Sequence, residues 1–409
     1  MAIREPRQLE LSDSYDTAII GSSPISLLEA LYRAGKGEEV VVLDDKSVLG
    51  GAWDFISMAG YTNVESCSHI LRYHPGCYRF LEKYLGLKMI PMDPPPLGYS
   101  CRNSRPPKGF RYETWRWKLQ YISDRIDHAG LPRTWERFEN DVLRPCVRGG
   151  LIALDRLRGR EAIQEYPVGG TPAMVESLRN LIRRSNVSIR LNHLVKYVES
   201  RNGRIQLLAD DSKLVCDNLV MTTQTRLCGV HSHGTEVPRT GKDLRSIQLM
   251  LLLYDPSPIG CSFLEFNGHP FLRRVSDVTR YTAQYCESGR QEKIISVTYR
   301  LDQSVDDELI VKTMTQLKDL GVTGPGAEIK HHEWHSYPTT LQKPVVMEQI
   351  QNLFGSQLNV LWTIDLALAI EMYAPRWQTS LRPYQEAVSP TATPIPVSFD
   401  HQRDTRTAA

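Results

Sequence analysis

The sequence predicts an α/β protein of two domains, the first built on a parallel central sheet and the second of mixed α+β character. Three observations predict it. Two short apolar runs, Thr17-Ala18-Ile19-Ile20 and Val40-Val41-Val42-Leu43, flank a helical stretch between Pro24 and Gly35. Apolar runs of this length are strands of a parallel sheet buried on both faces. The chain has 409 residues, too many for one ordinary core. A strand-rich stretch, 244–336, stands apart from that first unit.

Residues 1–14 read as a loose, charged leader without an apolar core, so they form no signal peptide. Gly21 follows the first strand, where the chain turns sharply. Pro24 suits the first turn of a helix, since its missing N–H would have no intrahelical partner. Leu27, Leu28 and Leu31 recur at helical spacing and Gly35 ends the helix. The helix N-terminus favours an anion such as a diphosphate. Asp44, at the end of the second strand and 23 residues after Gly21, is placed to accept hydrogen bonds from a ribose, with Asp45 beside it. The usual G-x-G-x-x-G reads Gly21-Ser22-Ser23-Pro24-Ile25-Ser26 here, with serine at the second and third glycine positions. Next comes Leu49-Gly50-Gly51-Ala52-Trp53, whose glycines let backbone approach a ligand closely.

Residues 74–90 read as a helix, 91–108 as a proline-rich crossing, and 112–163 as helical with breaks at Pro132 and Pro145. Tyr166-Pro167-Val168-Gly169-Gly170-Thr171-Pro172 introduces a helix that Thr171 can cap. Strands follow at 187–191, at 195–198 and 205–208 across an Asn202-Gly203 turn, and at 214–222, ending in Thr222-Thr223. A helix is expected near 305–320, a buried strand at 358–362, then Asp365 and a helix over 366–373. From Ala387 the chain is rich in Pro, Thr and Ser and reads as a disordered tail.

Composition narrows the class. Hydrophobic content of 41% and charged content of 23% are those of a soluble globular protein. A net charge of +2 gives no reason to expect a nucleic-acid or membrane partner. The longest apolar run, 249–254, is far too short to span a bilayer. Eight scattered cysteines without metal-ligand spacing suggest reduced thiols and a cytoplasmic setting. Oligomeric state is left open.

The order of these motifs resembles the two-domain flavoproteins of the amine oxidase and UDP-galactopyranose mutase type. The resemblance spans most of 15–375 and lies in order and spacing rather than identity. It implies a Rossmann-like, FAD-binding domain from 1–70, 165–240 and 340–386, and a substrate domain from 71–164 and 241–339, with 387–409 as tail. It also implies that Gly21, Ser22, Ser23, Pro24, Asp44, Asp45, Gly50, Gly51, Ala52 and Trp53 hold the ADP half of FAD. Leu194 and Val195 would meet the adenine, while Thr222, Thr223, Asp365 and Leu366 would lie along the cofactor. Cys67-Ser68-His69-Ile70 matches part of the mutases' histidine loop, which makes His69 an acid–base candidate beside the flavin. Arg273 and Arg274 lie on a predicted strand, so only one can face a cleft and clamp an anion; the alternative is a surface ion pair with Asp277. His331, Glu333 and His335 share one strand face, but a metal there would need further ligands, and none is assigned. The expected activity is FAD-dependent oxidation or reduction of a small-molecule substrate between the domains. The alternatives are a flavin-dependent, non-redox nucleotide-sugar mutase and a non-catalytic FAD- or nucleotide-binding protein.

Overall fold

A computed structural model describes residues 13–385 apart from single positions and short stretches, the longest being 66–70, 102–107, 130–137, 238–243, 280–290, 300–304, 340–349 and 362–365. The predicted opening unit is present. Strand β1 (Asp13–Ile20) begins inside the expected leader, then come helix α1 (Pro24–Ala34) and β2 (Val40–Leu43). A hairpin follows, β3 (Phe55–Met58) and β4 (Tyr61–Glu65), then α2 (Pro75–Leu85) with left-handed Gly86 at its C-cap. Short strands β5 (Met89–Pro91), β6 (Leu97–Ser100) and β7 (Lys108–Arg111) lead to α3 (Trp115–Ala129) and α4 (Arg144–Leu157). Pro145 starts α4 rather than breaking a helix, because a first-turn proline gives up no intrahelical bond.

The middle of the chain runs β8 (Glu165–Pro167), α5 (Gly170–Arg183), β9 (Ser188–Arg190), β10 (Val195–Arg201), β11 (Arg204–Ala209), β12 (Ser212–Thr222), β13 (Gly229–Ser232) and β14 (Thr235–Val237). Asn202 and Gly203, both at positive φ, turn β10 into β11 as the dipeptide predicts. The second strand-rich part holds β15 (Leu244–Tyr254), β16 (Phe263–Asn267), β17 (Leu272–Asp277), β18 (Glu292–Tyr299), α6 (Asp307–Asp319) and β19 (Glu328–Thr339). Last come β20 (Leu358–Leu361) and α7 (Leu366–Gln385). Helix α7 runs twelve residues past the expected 366–373, through Pro375. Burial of Trp377 and Leu381 against α1 and α2 holds the half beyond that proline.

Among the described residues the strands form two large sheets. The first has nine strands in the order β14-β13-β10-β11-β12-β1-β2-β9, with β20 also on β12. Its centre is parallel: β12, β1, β2 and β9 run together, and β20 joins β12 in the same sense. β12 serves two partners along one edge. Its first half, Ser212–Cys216, pairs antiparallel with β11, and its last residues, Leu219–Thr222, pair with β20. Ile20, Leu43, Met221 and Val360 therefore end on one side of the sheet. The second sheet has seven strands in the order β19-β15-β18-β17-β16-β6-β7. Helix α6 covers one face through Leu309, Ile310, Met314 and Leu317. The β3–β4 hairpin lies on the other, with Met58 and Val64 packed against Met250, Leu252, Val278 and Ile294. The chain enters that hairpin just after Trp53, so the segment that follows β2 and the glycine pair is laid on this face of the second sheet.

Candidate functional site

In open parallel sheets, ligands bind outside the carboxyl ends of the strands where the strand order switches direction. Here that place lies beyond β1, which has β2 on one side and β12 on the other. The structure brings most of the described candidates together there. Gly21 turns at φ +93, and a Cβ built on it meets nothing within 4 Å, so open space lies over the turn. The Ser22 amide donates to Asp44 Oδ2 at 2.6 Å, and Asp44 Oδ1 accepts from the Lys46 amide at 2.9 Å. Ser22 Oγ in turn accepts from the Gly50 amide at 3.0 Å. Loop, acid and glycine pair thus form one hydrogen-bonded unit.

The two serines in glycine positions have a shared task. Ser23 is the N-cap of α1: its hydroxyl accepts from the Ser26 amide at 3.3 Å and shares a hydrogen bond with the Ser26 hydroxyl at 2.9 Å. Of the amides at this helix start, Pro24 lacks one and Ser23 satisfies another. The anion-holding capacity of the end is reduced but kept close to the open space over Gly21.

Gly51 packs directly on the loop. A Cβ there would stand 3.1 Å from Ser23 N and 3.2 Å from Ser23 Cα. Two basic residues that the sequence reading missed fix the glycine pair. Lys46 Nζ donates to the Gly51 carbonyl at 2.5 Å, and Arg179 of α5 donates to the Leu49 carbonyl through Nε at 3.1 Å while its guanidinium covers the Phe55 ring. Sequence distance hid Arg179. Lys46 carries no motif signal beyond its place beside Asp44. Ala52 is exposed and Trp53 half-buried against the core.

The remaining candidates divide. The amides of Asn192 and His193 donate to the carbonyls of Lys46 and Asp44, both at 2.8 Å, which sets Leu194 and Val195 beside the acid. The Val195 side chain is in the core. Asp45 titrates above its ordinary value, because partial loss of hydration is compounded by the Asp44 carboxylate. Thr222 ends β12 beside the end of β1: its amide donates to Thr225 Oγ1 at 2.8 Å, and that hydroxyl donates to the Ile20 carbonyl at 3.3 Å. Leu366 opens α7 and is buried. His69, Thr223 and Asp365 lie outside the described residues.

Arg273 and Arg274 face opposite sides of β17, Arg273 being exposed and Arg274 partly buried. The Asp277 carboxylate accepts from the Thr279 amide, and Arg274 lies 3.9 Å from Glu265 on the neighbouring strand. Arg274 belongs to a row across the sheet. Strand pairing sets His335, Gln248, Thr298, Arg274 and Glu265 side by side on β19, β15, β18, β17 and β16, and opposed residues share a face. The next row carries Glu333, Met250, Ser296, Ser276 and Phe263. This is the face that carries the β3–β4 hairpin. Gln248, Ser276 and Thr298 are buried there. His331 and His335 both approach Glu333, at 2.9 and 3.4 Å. Among the described residues no group of three metal-ligating side chains has metal-binding geometry.

A buried carboxylate also escaped the sequence reading. Glu65, at the end of β4, accepts from the Tyr166 hydroxyl at 2.9 Å and from the Thr171 amide in the first turn of α5. The expected side-chain cap by Thr171 is absent. The helix begins at Gly170, and a glutamate 106 residues away takes the cap's place. A further cleft of about 500 Å³, lined by Asp13, Glu38, Glu39 and Asn186, lies at the amino end of the first sheet, opposite the candidate site. Among the described residues no helix is long and apolar enough to cross a membrane.

Neither a family model nor a curated protein matches this sequence. Solved structures match the fold. A provisionally named protoporphyrinogen oxidase from Exiguobacterium sp. 255-15 gives a TM-score of 0.55 at 12% sequence identity, covering 92% of this chain and 99% of that one. Putrescine oxidase bound to putrescine gives 0.57 at 12% identity, covering 91% and 100%. Rab GDI from Plasmodium falciparum gives 0.52 at 12% identity, covering 90% and 97%. Likeness at this identity shows the fold. It is the mixed α/β architecture, with a central parallel sheet and a second sheet, that these oxidases share with Rab GDI.

Proposed function

We propose that this chain is an FAD-dependent oxidoreductase acting on a small molecule held between its two sheets. The observation that carries this reading is the bonded unit of Ser22, Asp44 and Gly50 at the carboxyl ends of β1 and β2, under the open space at Gly21. The residues fit the group. Gly21, Ser22 and Ser23 with the start of α1 would hold the diphosphate, Asp44 the ribose, and Leu194 the adenine side. Gly50 and Gly51, locked by Lys46 and Arg179, would let the backbone run close to the cofactor. Thr222, Thr223, Asp365 and Leu366 would line its far half, and His69 would stand near the reacting ring as an acid–base group. Bound FAD supplies a hydride acceptor. The chain's own contribution is to hold that acceptor at the strand ends, exclude water with the β3–β4 hairpin, and present the polar face of the second sheet to substrate. In this reading 1–70, 165–240 and 340–386 form the cofactor domain and 71–164 with 241–339 the substrate domain. The fold's occurrence in a protoporphyrinogen oxidase and in putrescine oxidase supports redox chemistry.

A second reading is a non-catalytic nucleotide-binding protein. It is favoured by Ser23 and Ser26 bonding one another at the helix start and by the same fold in a Rab GDI. An absorbance scan of purified protein separates the two. Flavin bands, and FAD released on denaturation, are expected. A colourless protein that takes up no added FAD would end the first reading.

A further inference from the structure

We infer that the polar row on the second sheet recognises a small carboxylic acid that carries a hydrogen-bond donor beside its carboxylate. This rests on the reading of that face as the substrate side of the cleft. Buried sheet faces are normally apolar, and buried polar atoms have partners. This face breaks both habits in one place. Gln248 and Ser276 are each at most 3% exposed. Yet Gln248 Oε1, Ser276 Oγ and Arg274 Nε find no hydrogen-bond partner among the described residues. Leaving such groups unpaired is unfavourable, so their retention in one patch points to a ligand that completes them.

The identity of the open valences sets the ligand's chemistry. Arg274 offers N–H groups of a permanent cation, and Glu265, at 3.9 Å, lies beyond hydrogen-bond reach. A planar guanidinium with an open Nε suits a carboxylate. Gln248 is the opposite case. Its amide nitrogen is committed to Ser296 Oγ, so the atom left open is an acceptor and requires a donor. Gln248 and Arg274 both flank Thr298, one strand to either side. Their backbones are therefore about 10 Å apart on one face, a span that a small molecule can bridge. Beyond the row the same face is apolar at Met250, Leu252 and Ile294 and is already covered by Met58 and Val64 of the β3–β4 hairpin. The open valences therefore define the ligand's head alone: a carboxylate with a neighbouring hydroxyl or amine.

Three probes of one size test this: mandelate, phenylacetate and phenethylamine, followed by calorimetry and thermal melting of the full-length protein. Mandelate should bind and raise the melting temperature. Phenylacetate, lacking the donor, should bind about tenfold more weakly. Phenethylamine should not bind. Arg274→Met should weaken mandelate by about 10- to 100-fold. The paired change Gln248→Leu with Ser296→Ala removes both partners of one bond and the open acceptor. It should erase the preference for mandelate over phenylacetate while leaving the free protein at least as stable. Binding of phenethylamine in preference to mandelate, or no binding of mandelate at millimolar concentration, would overturn the inference. So would a clear drop in the melting temperature of the paired variant, since those atoms would then be holding the sheet. FAD content, read separately from absorbance, distinguishes the failures. Mandelate binding without FAD defeats only the flavin reading, and FAD without mandelate binding defeats only this one.

Discussion

Ser23 stands where this kind of turn usually places glycine, and its hydroxyl competes with any phosphate for the start of α1. While it caps Ser26, that amide is unavailable to a ligand. Ser23→Gly gives up a cap at a cost of only a few tenths of a kcal/mol and frees the amide, so FAD affinity is expected to rise or hold. Ser23→Val loses the cap, about 1 kcal/mol, and sets branching against the open space, so affinity should fall. Fluorescence titration with FAD measures both; a tighter Val variant would remove Ser23 from the cradle. Gly51 tests the same contact from the other side. Its φ of +60 disfavours any side chain, and at 3.1 Å from Ser23 N an added methyl group would press on the loop. Gly51→Ala should lower stability by about 1–2 kcal/mol from backbone strain alone and weaken FAD further by pushing the loop. Chemical denaturation with and without FAD separates the two effects, and an unchanged denaturation midpoint would contradict the packing. The place of Asp44 at the carboxyl end of β2 was legible from its spacing after Gly21. Its bonds to the Ser22 and Lys46 amides were not, because backbone amides leave no trace in a sequence.

At the scale of elements, two buried carboxylates fasten pieces that lie far apart in the chain. Glu29 is fully buried on α1. It accepts from Arg33 at 3.1 Å, from Arg376 at 2.5 Å and from Trp377 Nε1 at 3.0 Å, so it ties α7 to α1. Without Glu29, Arg33 keeps Glu38 at 3.1 Å, while Arg376 and the buried Trp377 Nε1 lose their carboxylate. Glu29→Ala should therefore cost about 3–5 kcal/mol, read as a lower urea midpoint. A loss under about 1 kcal/mol would show that α7 is held by its apolar face alone. Asp255 does the equivalent work in the second sheet, at the end of β15. Burial alone would raise its pKa, but the Ser257 hydroxyl, the Gly324 and Ser257 amides and Lys293 together outweigh that and hold it below the usual 3.8. A depressed folded pKa means stability that is complete above the unfolded value of 3.8 and is lost as pH falls through the folded one. Acid melting curves should thus show a loss below about pH 4 that Asp255→Asn largely removes. Identical acid limbs in the two proteins would refute the assignment. Gly324 belongs to this site, since a Cβ there would lie 2.9 Å from the Asp255 carboxylate.

Across the whole molecule, what the sequence revealed was periodic and local, and what it hid was long-range. The βαβ unit, the Asn202-Gly203 hairpin and the 307–319 helix are readable because short-range spacing dictates them. The Glu65 cap on α5, the polar row on the second sheet and the passage of α7 through Pro375 depend on partners 100 residues or more away, or on register between strands. The same long-range logic makes one further prediction about the chain ends. The first sheet takes β1 from the N-terminal part and β20 from the C-terminal part, both laid on β12. Helix α7 then returns across α1 and α2, burying Leu366, Ile370, Trp377 and Leu381 in the same core as Leu27, Leu31 and Phe80. Burial of each such side chain contributes about 1.5–3 kcal/mol, so these four alone approach the 5–15 kcal/mol that typically separates folded from unfolded states. A chain ending at Gln357 loses all of them, exposes the β12 edge, and leaves Glu29 without Arg376 and Trp377. It should fail to fold as a unit: insoluble or molten on expression, without cooperative melting, and without FAD. If instead it is soluble, melts cooperatively and retains FAD, then α7 is an accessory layer and the site is complete without it. Supplying residues 358–385 as a separate peptide should restore cooperative melting if the lost contacts, and not chain connectivity, are what the truncation removes.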